Sequence, residues 1–299
     1  MQPILTNYAI SVIIFSHDLC FTREFMIKLL EILDTQMTRP ESYGWFHLMF
    51  VGIVIAVTLF LCVFFRNCKD KTFRGIILAF WIVIVLLEIY KEINFTFGVS
   101  DGEIVAKYQW YIFPFQFCST PFYVLPFIVF LKEGKVRDAF ISFTAIFALV
   151  AGLAVMIYPN DVFIGTIGIN IQTMVHHGSQ VILGIFCCVH ERKKYRGVRF
   201  CLSAVAVFAV LSAVAMLLNE IFIYIVPEGE TFNMFYISRH FPSTLVILCD
   251  IYKAVPYPVF LLAYFFAFGV GAAVIYLIQW GIIKLTSLKK ENKNKEIEA

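Results

Sequence analysis

The chain has 299 residues, of which 60% are hydrophobic, 17% aromatic and only 15% charged, and its mean hydropathy is +0.81. That is more apolar surface than a soluble core of this length can bury, so a soluble globular domain is excluded and a polytopic membrane protein is left. The net charge of +3 is no argument for a nucleic-acid partner, and the basic residues are distributed as membrane topology would require.

In chain order, Pro3 to Phe15 is apolar but lacks a basic preceding region and a small-residue cleavage site, which argues against a cleavable signal sequence. Phe21 to Thr38 interleaves Phe25, Ile27, Leu29, Leu30 and Ile32 with Arg23, Glu24, Lys28, Glu31 and Asp34, the pattern of an amphipathic helix lying on the outer surface. Seven apolar stretches follow: Ser42 to Phe65, Thr72 to Tyr90, Tyr111 to Leu131, Asp138 to Pro159, Asn170 to Val189, Phe200 to Ile225 and Tyr257 to Ile283. Each approaches the roughly 20 residues needed to cross about 30 Å of hydrocarbon. The expected fold is an all-α bundle of seven transmembrane helices. Residues 1–41 form an outer segment, 42–286 the membrane domain, and 287–299 a Lys/Glu/Asn-rich tail expected to be frayed.

Seventeen of the 24 basic residues fall in one set of loops and the C-terminal tail. Arg66, Lys69, Lys71 and Arg74 form the first group, Lys132, Lys135 and Arg137 the second, and Arg192, Lys193, Lys194, Arg196 and Arg199 the third. The C-terminal tail supplies the rest. This face is expected to be cytoplasmic, with the N-terminus outside and the C-terminus inside, in the plasma membrane. Topology of this kind is shared with retinal proteins and heptahelical receptors, but no lysine occurs between Ala254 and Ile283 to carry retinal.

Cysteine usage gives no C-x-x-C pair and no other metal-ligand spacing, so no metal or cofactor is expected. Cys20 and Cys249 both fall on the outer side and are candidates for a disulfide. Asn94-Phe-Thr96 fits a glycosylation sequon in an outer loop and is read as incidental.

Two spans carry polar residues at lipid depth. Pro114-Phe-Gln-Phe-Cys-Ser-Thr-Pro-Phe-Tyr-Val-Leu-Pro126 contains three prolines that interrupt backbone hydrogen bonds, with Gln116, Cys118, Ser119 and Thr120 among them. The fifth span holds Asn170, Gln172, Thr173, His176, His177, Ser179 and Gln180, a density that marks a buried site. Cys118 and His177 each lie seven residues below the outer ends of their spans, about 10 Å at helical rise, so they can meet. Glu88, Asn219 and Glu220 fall at the same level. A histidine beside a cysteine generates a thiolate able to attack an ester carbonyl. Glu220 or Glu88 would orient the imidazole, and Gln116, Ser119 or freed backbone amides would bind the developing oxyanion. Thr173, Gln180 and Asn219 complete the candidate substrate-binding set. Packing and interhelical hydrogen bonding are the competing uses of the same residues, and periodicity leaves the choice between His176 and His177 open. A transporter or a heptahelical binding protein is the alternative class. Against transport, Val181 to Phe186, Val205 to Val210 and Phe127 to Phe130 are apolar and suggest a closed inner half.

Phe113-Pro-Phe-Gln-Phe-Cys118, Val175-His-His-Gly178, and Asn233-Met-Phe-Tyr236 followed by Pro242, Leu245, Leu248 and Pro256-Tyr-Pro258 resemble segments of the YwaF-type integral membrane family of bacteria. That family is distantly related to a eukaryotic transmembrane phospholipid acyltransferase family. The resemblance implies that Cys118 carries the acyl group and that His177, followed by Gly178, is its partner. It also implies transfer of an acyl chain from a membrane phospholipid to a lysolipid or water. Near Pro256 the chain departs from the family, a tryptophan-rich stretch being reduced to Val255-Pro-Tyr-Pro258.

Overall fold

The computed structural model describes residues 22–298 apart from 161, 195 and 196. Pro3 to Phe15 and Cys20, with its expected partnership to Cys249, lie outside the described residues. Helix α1 (22–33) is followed by α2 (Trp45–Phe64), α3 (Asp70–Thr96), a hairpin of β1 (Phe97–Ser100) and β2 (Glu103–Ala106), and α4 (Thr120–Phe130). Then come α5 (Lys135–Phe143), α6 (Leu149–Ile157), α7 (Ile167–His190), α8 (Val198–Phe222), α9 (Leu248–Ala254) and α10 (Tyr257–Glu298).

Among the described residues, five helices are long and apolar enough to cross a membrane: α2, α3, the α5–α6 helix, α8 and α10. The two expected spans that fall short are the two that carry polar residues. Tyr111 to Leu131 is not one continuous helix; it is two 3₁₀ turns, Trp110–Ile112 and Phe117–Ser119, leading into the 11-residue α4. Pro114 and Pro121 supply no N–H for an α-helical ladder, which is why the helix starts only at Thr120. Helix α7 is regular throughout but buried along most of its length. It is the central rod of the bundle, packed by α2, α3 and α6.

Close approach to that rod depends on two glycines. A Cβ on Gly152 would sit 2.6 Å from the His177 carbonyl oxygen, and one on Gly178 would sit 2.6 Å from Val54 Cγ2. Their absence lets α6 and α2 pack backbone-close on α7, the small-residue mode of membrane helices. Helices α5 and α6 are joined by a π turn, Thr144–Ala148. The wider turn leaves the Ala145 carbonyl able to accept from Gln279 Nε2 of α10 at 3.1 Å.

The basic loops gather at one end. Asp70 accepts from Arg74 Nε and Arg137 NH2, each at 2.6 Å. The two arginines also donate to Ile128, Val129 and Leu131 carbonyls, capping the C-terminus of α4. Arg192 donates to the Arg66 carbonyl, and Lys194 pairs with Asp138 and Glu191. Burial alone would raise the Glu191 carboxyl, but hydrogen bonds from His190 and Lys194 hold it below its ordinary value.

At the other end, Tyr90 and Asn94 donate to the Leu33 carbonyl and Gln36 bridges to Thr166, so α1 is fastened across the ends of α3 and α7. Phe25 and Ile32 stay exposed, as a helix lying in a membrane interface requires. Asn94 therefore belongs to a helix rather than a loop. The hairpin was not expected; its turn, Asp101-Gly102, has φ of 53° and 73°, the left-handed pair of a type I′ turn. The tail also differs from expectation, because α10 continues to Glu298. No proline or glycine occurs between Ile283 and Glu298 to end it.

Candidate functional site

Proline chemistry builds the site. In the turn Phe117–Ser119 each N–H bonds three residues back, Ser119 to Gln116 and Thr120 to Phe117. The next donor would be residue 121, a proline, so the Cys118 carbonyl is left without one. Two side chains one helical turn apart on α7 take its place: His176 Nε2 at 2.9 Å and Gln180 Nε2 at 2.5 Å. Pro126 acts similarly one turn on, freeing the Phe122 carbonyl, which accepts from Trp81 Nε1 at 2.9 Å. The broken helix is thus sewn to α7 and α3 through carbonyls that proline exposed.

The histidine ambiguity takes a definite form. His176 faces an acceptor through Nε2, so Nε2 carries its proton and Nδ1 holds a lone pair. His177 Nδ1 lies 2.8 Å from the Thr173 carbonyl and must donate, which puts its lone pair on Nε2. Among the described residues neither His176 Nδ1, His177 Nε2 nor Gln180 Oε1 has a hydrogen-bond partner, although all three atoms are buried. The two imidazoles meet edge to face with centroids 5.3 Å apart. The Ser119 hydroxyl and the N–H of Cys118 both lie within hydrogen-bonding reach of the Cys118 thiol, which is itself half-buried.

Glu88 is buried on α3 and takes Lys91 Nζ at 2.5 Å; Lys91 also donates to the Ile112 carbonyl. This ion pair stands close enough to Cys118 to act on it electrostatically. Lys91 is a member the sequence reading missed. Its signal was the i, i+3 spacing from Glu88, hidden because the second span was ended at Tyr90. Glu220 is elsewhere: its carboxylate faces the loop between α8 and α9, 2.8 Å from Arg239 and 3.2 Å from His240.

Gln116 and Asn219 serve a different element. Gln116 donates to the Asn233 carbonyl and accepts from the Phe235 N–H, both at 3.0 Å. Asn219 donates to the Met234 carbonyl at 3.0 Å and accepts from its N–H at 2.7 Å. Asn233 ties the same loop to Ser238, Phe241 and Pro242. Three carboxamides therefore clamp a turn in which Phe235 and Tyr236, neither a glycine, both have φ of 57°. Such strain persists only where surroundings over-determine it. The loop is a plug: Phe232, Met234, Phe235 and Ile237 are fully buried, and Phe235 stacks on Phe115. It brings Tyr236 within electrostatic range of Cys118. Asn219→Leu is expected to leave both backbone groups of Met234 unpaired and to cost about 1–3 kcal/mol, measured as a lowered thermal midpoint in detergent.

A groove of about 380 Å³ runs between α2 and α3 over Met174, Val175, Gly178 and Ser179. It lies on the face of α7 turned away from His176 and Gln180, and its lining is apolar.

No curated protein and no solved structure gives a significant match to the chain. The model of the TMEM164 family matches residues 42–284, from the start of α2 to the end of the apolar part of α10, and takes in every site residue described above. The chain belongs to the TMEM164 family, a family of transmembrane proteins.

Proposed function

We propose that this protein is an integral membrane acyltransferase or transacylase of the plasma membrane. In this reading it crosses the bilayer seven times, with the N-terminus outside, and acts on phospholipid acyl esters through Cys118 and His177. The observation that carries the reading is the tautomer of His177. A buried imidazole holds its Nδ1 proton on a backbone carbonyl and keeps a lone pair on Nε2 that has no partner among the described residues, one residue along α7 from the histidine that donates to the Cys118 carbonyl. This is the orientation of the base in nucleophilic triads, with the Thr173 carbonyl in the place of the orienting carboxylate.

His177 Nε2 takes the thiol proton as Cys118 sulfur forms a bond to the ester carbonyl carbon. The tetrahedral oxyanion finds donors in the Cys118 N–H and the Ser119 hydroxyl. Collapse breaks the carbon–oxygen bond, and the lysophospholipid oxygen leaves with the proton held by His177. The thioester then reacts with an acceptor hydroxyl in the reverse order, and the sulfur recovers its proton. The Thr173 carbonyl holds His177, His176 and Gln180 hold the Cys118 carbonyl, and Gln116 and Asn219 fix the plug. Glu88 with Lys91 sets the local field. Glu220, paired with Arg239 and His240, belongs to the outer entrance.

The inner half of the bundle supports an enzyme over alternating access. Leu183 and Phe186 are fully buried below the site, and Phe147 stacks on Phe208 at 4.5 Å. Intact-mass spectrometry after incubation with phosphatidylcholine vesicles tests the proposal. Wild type is expected to carry a hydroxylamine-sensitive fatty-acyl adduct that Cys118→Ala lacks. Absence of both adduct and lysolipid product would overturn it.

A further inference from the structure

At the basic end of the bundle, α5 and α8 pack side by side and leave a cavity of about 220 Å³ between their first turns. It is lined by Lys135, Asp138, Lys194, Arg199, Phe200 and Ser203. The charges are unequal. Lys194 is held by Asp138 at 2.9 Å and by Glu191 at 3.1 Å, so the one acid in the lining is already used. Lys135 and Arg199 have no acidic partner among the described residues, although each borders the cavity. Two cations without an acidic partner around a concave space of this size match a phosphate group, whose oxygens accept from both; the Ser203 hydroxyl already donates to the Arg199 carbonyl.

The surroundings identify where that phosphate comes from. Val136, Val198 and Leu202 adjoin the lining residues in sequence and are 63%, 68% and 61% exposed. Both helices belong to segments apolar enough to span a membrane. The cavity therefore sits where the helices leave the hydrocarbon, with apolar side chains on its flank for acyl chains to lie on. Basic recesses between helix ends at this level are suited to anionic lipid headgroups. We propose that this cavity is a binding site for the phosphate headgroup of an anionic membrane lipid, separate from the Cys118 site and independent of what that site does.

The test uses the full chain in phosphatidylcholine nanodiscs doped with phosphatidic acid, with retained lipid counted by native mass spectrometry. Wild type is expected to retain phosphatidic acid over phosphatidylcholine by roughly tenfold or more, and Lys135→Gln with Arg199→Gln to lose about tenfold of that preference. Both side chains are exposed, so the double variant should keep the wild-type thermal midpoint. Lys69→Gln with Lys71→Gln, on the same end but outside the cavity, is expected to change retention less than twofold. Equal retention by wild type and the cavity variant would overturn the site. Equal loss in the control pair would also overturn it, by reducing it to general surface charge. Competition with glycerol 3-phosphate separates the sources: displacement at millimolar concentration would overturn the lipid as ligand in favour of a soluble phosphate.

Discussion

His177→Gln is expected to lower acyl transfer by about 10²- to 10⁴-fold, the range for removing a positioned general base, while His176→Gln lowers it far less. The two residues are neighbours of the same type, yet their hydrogen bonds differ. His176 donates to the Cys118 carbonyl, a bond that glutamine can also make, so its loss is felt as stability. His177 presents its free acceptor at Nε2, the tip of the ring, whereas that of His176 is Nδ1, close to its own backbone, and glutamine does not reproduce the imidazole base. A thioester assay on purified protein in mixed micelles, run beside thermal unfolding, separates the two effects. The histidine assignment fails if His176→Gln loses activity as severely as His177→Gln at unchanged stability. Cys118→Ala should fall to background, and Cys118→Ser should leave at most a trace, because the hydroxyl is far harder to ionise than the thiol.

Asp70→Ala is expected to be the most destabilising single change at the basic end, costing on the order of 3 kcal/mol. Arg137 is 4% exposed and, among the described residues, depends on Asp70 for its carboxylate and on the Ile128 carbonyl as acceptor. Removing the acid leaves a buried guanidinium uncompensated. The figure is at the lower end for broken buried pairs because Asp70 itself is 35% exposed, so water can reach the vacated place. Asp70→Ala with Arg137→Met should recover most of the loss, since methionine occupies the stem's apolar path past Phe73 without the charge. Denaturation of both variants in dodecylmaltoside, followed by helical circular dichroism, checks the sign and the recovery.

Much of the fold was legible because lipid simplifies the problem. Long apolar runs had to be helices, and α2, α3, α8 and α10 begin within a few residues of where hydropathy put them. The third span was the exception. Its apolar composition looked like a crossing, while Pro114 and Pro121 dictated a chain broken into 3₁₀ turns. Proline was noted as a disturbance, but the partner of the freed carbonyl could not be named, because that depends on which face of α7 turns toward it. The site was legible in the same uneven way. Depth counting brought Cys118 to the level of the histidines, and the structure seats the Cys118 carbonyl on His176 and Gln180. Depth counting also grouped Glu220 with them, yet depth carries no azimuth, and Glu220 looks out toward Arg239. Gln116 and Asn219 were legible as buried amides, but not as clamps on a distant loop. Tyr236 was visible only as part of a motif, since its left-handed backbone has no local sequence cause.

Helix α7 raises a difficulty at synthesis. It is the centre of the finished bundle, yet Asn170, Gln172, His176, His177 and Gln180 make it a poor candidate to enter hydrocarbon alone. Its neighbours α2, α3 and the α5–α6 helix precede it on the ribosome and are apolar enough to be in the bilayer already. Insertion of α7 is then an assembly step, in which a polar segment partitions from the translocon into a groove of protein instead of into lipid. Substitutions that loosen the earlier helices, such as a side chain at Gly152, would act on yield by stranding α7 outside the membrane. Their effect would be read as lost expression long before any change in the chemistry at Cys118.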